Sequence, residues 1–162
     1  MTSLSTPLLQ SIEIDELLPH ARHVVWRALT EADLMRRWMM TPEGFRPVVG
    51  TRFTFRTKPA GAWDGTIHCE VLDVIDQERI AYRWTGGHES NIGYGSKLDT
   101  VVSITLSDAP NGTRLSIVHS GFELPRNDSA FRTMSDGWKV VAERLETVVA
   151  EEASSANAAS ER

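Results

Sequence analysis

The chain has 162 residues, 41% hydrophobic and 24% charged, with 17 basic against 22 acidic side chains for a formal net charge of −5. These are the proportions of a soluble globular chain long enough to build one domain with its own core, and they argue against a disordered, collagenous or membrane-spanning chain. No basic excess is available to displace counterions from a phosphate backbone, so nucleic acid is not an expected partner.

No run approaches the roughly 18 uninterrupted apolar residues of a membrane span. Met1 to Gln10 shows no basic segment leading into an apolar stretch, so no secretory signal is expected. The single cysteine, Cys69, permits no disulfide within these residues and cannot supply a multi-cysteine zinc site. A reducing, cytoplasmic location is the expectation.

Ser11 to Asp15 alternates polar and apolar residues and predicts the first strand. Pro19 suits a first helical turn, and Val24, Val25, Ala28 and Leu29 share one face of a helix predicted from about Pro19 to Leu29. Thr30 and Asp33 stand at capping-box spacing before Leu34, Met35 and Trp38, predicting a second short helix. Pro42, Gly44, Pro47 and Gly50 break regular structure, and Thr51–Arg56 then alternates as a strand with Phe53 and Phe55 on one side. Further strands are predicted at Gly65–Ile75, Arg79–Trp84, Thr100–Ser107 and Thr113–His119, with turns at Lys58–Gly61 and Asp108–Gly112. Gly86–Lys97, rich in Gly, Ser and Asn, reads as a flexible loop. From Phe131 onward the period becomes helical: Phe131, Met134, Trp138, Val141, Leu145 and Val148 form one apolar stripe. One domain is expected over residues 1–152, followed by a polar tail at 153–162 that lacks large apolar groups and is expected to fray.

Strand parity puts Ile12, Ile14, Phe53, Phe55, Cys69, Val71, Tyr82, Trp84, Val102, Ile104, Leu115 and Ile117 on one face. Glu13, Asp15, Arg52, Arg56, His68, Glu70, Arg83, Ser103, Thr105 and Arg114 fall on the other. The expected fold is therefore α+β: a curved antiparallel sheet, solvated on one side, wrapped around the long C-terminal helix, with two short helices after the first strand.

Several segments in order resemble a known family. They are Ala21–Thr30 leading to Leu34–Trp38, Ile80–Trp84, Gly112–Phe122, and Gly137–Trp138 with Arg144–Leu145. The set resembles the bacterial homologues of the activator of heat-shock-protein-90 ATPase, within the START-like, helix-grip SRPBCC superfamily. The resemblance implies a helix-grip fold with a hydrophobic cavity. The relatives it implies include lipid carriers, polyketide cyclases, antibiotic-sequestering proteins and chaperone regulators, so fold kinship leaves function open.

His119 shares parity with Leu115 and Ile117 and can face a cavity, where an imidazole would hydrogen-bond a ligand or carry a proton; the alternative is a structural histidine tied to backbone at a strand end. Ser120 points to the opposite face, so the pair is no nucleophile and base. His68, Cys69 and Glu70 alternate faces and make no metal site, His88–Glu89 lacks a second histidine, and Gly93–Lys97 has no phosphate-loop spacing. That last segment can instead act as a gate over a cavity. Arg36 and Arg37 diverge by about 100° on their helix and read as a solvated face. The expected ligand-binding set is Trp38, Phe53, Phe55, Trp63, Tyr82, Trp84, Ile104, His119, Met134 and Trp138, with no catalytic residue, no metal and no cofactor.

The first reading is a domain that binds or carries a hydrophobic or aromatic small molecule, oriented by Tyr82 or His119. A cyclase- or hydrolase-like enzyme would need acid and base groups converging in the cavity. A chaperone-regulating interaction module, implied by the resemblance alone, would show an exposed apolar patch and no roomy pocket. A homodimer is compatible with any of the three.

Overall fold

A computed structural model describes residues 8–160. Residues 1–7, part of the segment read for a targeting signal, and 161–162 of the tail lie outside the described residues. In chain order the elements are β1 (Leu8–Leu18), α1 (Arg22–Thr30), α2 (Ala32–Trp38), β2 (Arg52–Arg56), β3 (Thr66–Ile75), β4 (Arg79–Gly86), β5 (Leu98–Ala109), β6 (Gly112–Leu124) and α3 (Asp128–Ser160). The six strands form one antiparallel sheet in the order β1-β6-β5-β4-β3-β2. This is the expected helix-grip layout: α3 lies across β1 and β6 and against α1 and α2. Among the described residues no helix is long and apolar enough to cross a membrane.

The parity of the strands is realised side chain by side chain. Phe53, Phe55, Cys69, Val71, Tyr82, Trp84, Val102, Ile104, Leu115 and Ile117 are all buried, with Ile14 packed at the margin of the same core. The opposite face is dressed with cross-strand ion pairs, Arg83 to Asp99 at 2.7 Å and Arg114 to Asp15 among them. In each pair the guanidinium holds its carboxyl below the usual carboxylate range. Such exposed pairs contribute little each.

Four local expectations need correction. α1 begins at Arg22, with extended Ala21 as its cap, because Pro19 and His20 complete the bend out of β1. The capping box at Thr30 and Asp33 does not form. Thr30 is the last residue of α1 and donates its hydroxyl to Trp26 O at 2.7 Å, while Glu31 caps both helices through its backbone. β6 runs past His119 to Leu124 through a bulge: Gln10 pairs with Phe122 but Ser11 pairs with Ser120, leaving Gly121 unpaired at φ +101°. Finally, helix α3 starts three residues before Phe131, at Asp128, and its helical backbone continues through residues 153–160, with Ala153 packed against the core.

Candidate functional site

At the end of the sheet where β4 passes into β5, space remains between the strands and the first turns of α3. A cavity of about 210 Å³ opens there, walled by Trp63, Ile67, Trp84, Leu98, Met134 and Gly137 among others. A smaller one of about 120 Å³ adjoins it, sharing Met40, Trp84, Met134 and Gly137 and bounded further by Met39, Trp138 and Val141. The site is apolar because three apolar sources converge on it: the inner parity of β3 to β5, the stripe of α3, and the methionines that follow α2.

Gly137 explains why the space persists. It sits inside α3, where glycine is less stable than alanine by roughly 0.5–1 kcal/mol, yet a Cβ built on it would meet no atom within 4 Å. The helix therefore presents bare backbone to the cavity.

Two loops cover the opening. Asn91 Nδ2 donates to Ala60 O at 2.7 Å and to Gly95 O at 3.1 Å, and its Oδ1 accepts from Ala62 N at 3.2 Å. Tyr94 donates its hydroxyl to Lys58 O at 3.0 Å, and its ring lies 6.0 Å from that of Trp63. Asn127 then ties the cover to the start of α3, donating to Lys97 O at 2.8 Å and Ser96 Oγ at 3.2 Å. The segment expected to be a flexible loop is thus a cross-linked cover, hydrogen-bonded to the β2–β3 connection and to the helix.

His119 stands behind the cavity, fully buried. Trp138 Nε1–H donates to its Nδ1 at 3.0 Å, which sets the ring proton on Nε2, 2.7 Å from Thr100 Oγ1; that hydroxyl donates in turn to Trp84 O at 2.8 Å. Every donor in this chain has an acceptor, and both imidazole nitrogens are occupied. Burial pushes the His119 pKa down to about 3. The expectation that His119 faces a ligand is therefore corrected: it is a structural histidine, held by side chains and not by backbone.

Trp84 forms part of the wall of both cavities and is only 3% exposed, and its Nε1 has no hydrogen-bond partner among the described residues. The Tyr82 hydroxyl is likewise unpartnered, but Tyr82 lines neither cavity; its ring packs edge-on against Phe53 at 5.4 Å, and burial pushes its pKa up.

Of the expected binding set, the structure gathers Trp63, Trp84 and Met134 around the main cavity and Trp138 around the smaller one. Trp38, Phe53, Phe55, Tyr82, Ile104 and His119 line neither. They are core, because inner parity brings a side chain to the covered face whether or not space remains there: all six are buried, Phe53 against the rings of Phe45 and Tyr82 and Phe55 against that of Trp84. Trp38, for example, donates Nε1–H to Ala28 O at 2.8 Å within the α1–α2 corner. Sequence reasoning missed Met40, Leu98 and Gly137 in the lining and Phe122 in the core. A glycine inside a helical stripe and another inside a strand were the available signals for Gly137 and for the bulge beside Phe122.

His68 is exposed and Cys69 buried, as their alternation requires, and burial pushes the Cys69 thiol pKa up. Arg36 is exposed, whereas Arg37 reaches Glu151 and Glu152 of α3 at 2.6 and 3.1 Å.

The profile of the family described as "Activator of Hsp90 ATPase homolog 1-like protein" matches residues 19–150. Protein MLL2253 from Mesorhizobium loti is 31% identical and superposes with a TM-score of 0.76, over 88% of this chain and 98% of that one. The Aha1 protein of Colwellia psychrerythraea, solved as a dimer, is 20% identical with a TM-score of 0.67, over 86% and 96% of the two chains. CalU16 from Micromonospora echinospora is also 20% identical with a TM-score of 0.67, over 87% and 76%. No curated protein matches the chain. The family profile, spanning more than half of the residues, and the likeness to the Mesorhizobium protein agree with the helix-grip topology: this chain belongs to the family of Activator of Hsp90 ATPase homolog 1-like proteins.

Proposed function

We propose that the chain binds and carries a small apolar molecule in the cavity between β3–β5 and α3. The observation that carries this reading is Gly137, a helix-weakening residue whose missing side chain keeps open the wall shared by the two cavities. Size sets the class of guest. A dry cavity of about 150 Å³ holds benzene, and pockets for drug-sized ligands run from about 300 Å³ upward, so about 210 Å³ suits a single substituted ring and not an extended lipid. Carriage, and not turnover, is supported by His119, the one histidine on the inner face beside the cavity, whose two nitrogens are spent on Trp138 and Thr100.

The test uses Gly137→Ala and Gly137→Leu, with toluene as the probe in ligand-observed NMR and calorimetric titration. Wild type binds toluene saturably. Gly137→Ala binds it more weakly and melts about 2–4 °C higher, the shift expected of roughly 1 kcal/mol in a chain of this size. Gly137→Leu abolishes binding while remaining folded. Unchanged binding in both variants would remove the cavity from the reading.

A further inference from the structure

Trp63, Trp84 and Trp138 line the cavities and Trp38 lies in the α1–α2 corner, and three of these four have satisfied indole N–H groups. Trp38 donates to Ala28 O, Trp63 to Thr66 O at 2.9 Å, and Trp138 to His119. Trp84 alone among these four has none, although it is nearly fully buried and belongs to both cavity walls. A buried donor left without an acceptor costs roughly 1–3 kcal/mol, and tryptophan N–H groups ordinarily find a partner when buried. The neighbouring polar groups do not relieve it: Thr100, the closest hydroxyl in sequence register, already donates to the Trp84 carbonyl and accepts at the His119 ring.

The rest of the lining narrows what such a donor would meet. Among the described residues no Asp, Glu, Lys, Arg or His side chain lines the main cavity, so they offer nothing to neutralise a charged guest. Its other polar groups are committed or peripheral. Tyr94 donates to Lys58 O, Ser96 accepts from Asn127, and Thr57 and Thr133 are exposed at the rim. Met40 and Met134, shared with Trp84 by both walls, are unbranched and adaptable, and are the side chains best able to yield as a guest approaches the indole.

Resting on the binding reading above, we propose that the Trp84 indole N–H is the ligand-recognising donor and that the guest is a neutral, ring-sized molecule bearing one carbonyl or ether oxygen. The hydrocarbon part fills the apolar space, and the oxygen accepts a hydrogen bond from the Trp84 N–H, which among the described residues has no partner of its own.

A matched pair of probes tests this: acetophenone and ethylbenzene have the same carbon skeleton and differ in the carbonyl oxygen. Calorimetric titration of the wild-type protein is expected to show acetophenone binding about tenfold more tightly. The indole ¹H–¹⁵N signal of Trp84, assigned by its loss in Trp84→Phe, moves downfield with acetophenone and far less with ethylbenzene. Trp84→Phe retains ethylbenzene binding and loses the preference. Equal affinities in the wild-type protein would overturn the proposal while leaving the cavity a binding site. Failure of both probes to bind would overturn the binding reading and this inference together. The wild-type comparison decides even if the Trp84→Phe chain does not fold.

Discussion

His119 illustrates how one residue's chemistry is set by its partners. Its Nδ1 faces a donor-only indole N–H, so adding a proton there would set two donors against each other in a buried site. Desolvation opposes the charge further, and the folded-state pKa falls from 6.5 to about 3. Between these values the unfolded chain holds a proton that the folded chain refuses, so stability from this group is complete above pH 6.5 and is lost as pH falls through the window. The slope approaches about 1.4 kcal/mol per pH unit once the unfolded imidazole is protonated. Asp15, Glu89 and Asp99, whose carboxyls are lowered by Arg114, Lys97 and Arg83, act in the same direction but below their ordinary values of 3.8, 4.5 and 3.8. Melting temperatures compared at pH 7.5 and 5.0 span the upper part of that window, and the His119→Gln variant measures how much of the difference the buried imidazole carries. The wild-type difference is expected to shrink in His119→Gln, and an undiminished difference would assign the pH dependence elsewhere.

At the scale of elements, the bulge in β6 decides which side chains form the core near the site. Without it, strict alternation from His119 would turn Phe122 toward solvent. With Gly121 unpaired at positive φ, His119 and Phe122 both point inward, their ring centroids 4.6 Å apart, and Phe122 packs edge-on against Phe131 at 5.4 Å. A side chain at Gly121 would adopt a rarely populated backbone region, and its Cβ would lie 3.2 Å from Asp99 O. Gly121→Val is expected to destabilise the protein by roughly 1–3 kcal/mol, which a chemical-denaturation curve measures directly. A variant as stable as wild type would mean that the bulge relocates at no cost.

For the whole molecule, the question is how the far end of α3 is fastened once its first turns are committed to the cavity. The fastening is partly ionic: Arg27 and Arg37, from α1 and α2, converge on Glu152, and Arg37 also reaches Glu151. It is also apolar, since Val148 and Val149 are buried and Ala153 packs at the margin. A chain ending after Ser155 keeps all of these groups and is expected to melt within about 2 °C of the full chain. One ending after Val148 loses the buried Val149 and the ionic anchor, and is expected to fall by roughly 2 kcal/mol or more. Circular dichroism melts of both chains check this, and a large loss from the first truncation would show that residues 156–162 pack.

The periodicities of this sequence carried the elements and their buried faces, but not the order of the strands in the sheet. Alternation at Phe53 and Phe55, Cys69 and Val71, and Tyr82 and Trp84, followed by the stripe from Phe131 to Val148, was legible because burial on one face forces a two-residue or a 3.6-residue period whatever the neighbours are. Parity, however, says only that a side chain faces the covered side; it does not say whether another element has already filled that place. Trp38, Tyr82 and His119 face inward and are core, while Trp63, Trp84 and Met134 bound a cavity, because neighbouring side chains fill one part of the covered face and leave space where β4 passes into β5. The partners of His119, the unpartnered N–H of Trp84 and the open space beside Gly137 all join residues far apart in the chain. Those long-range distances exist only once the sheet has curved around its helix.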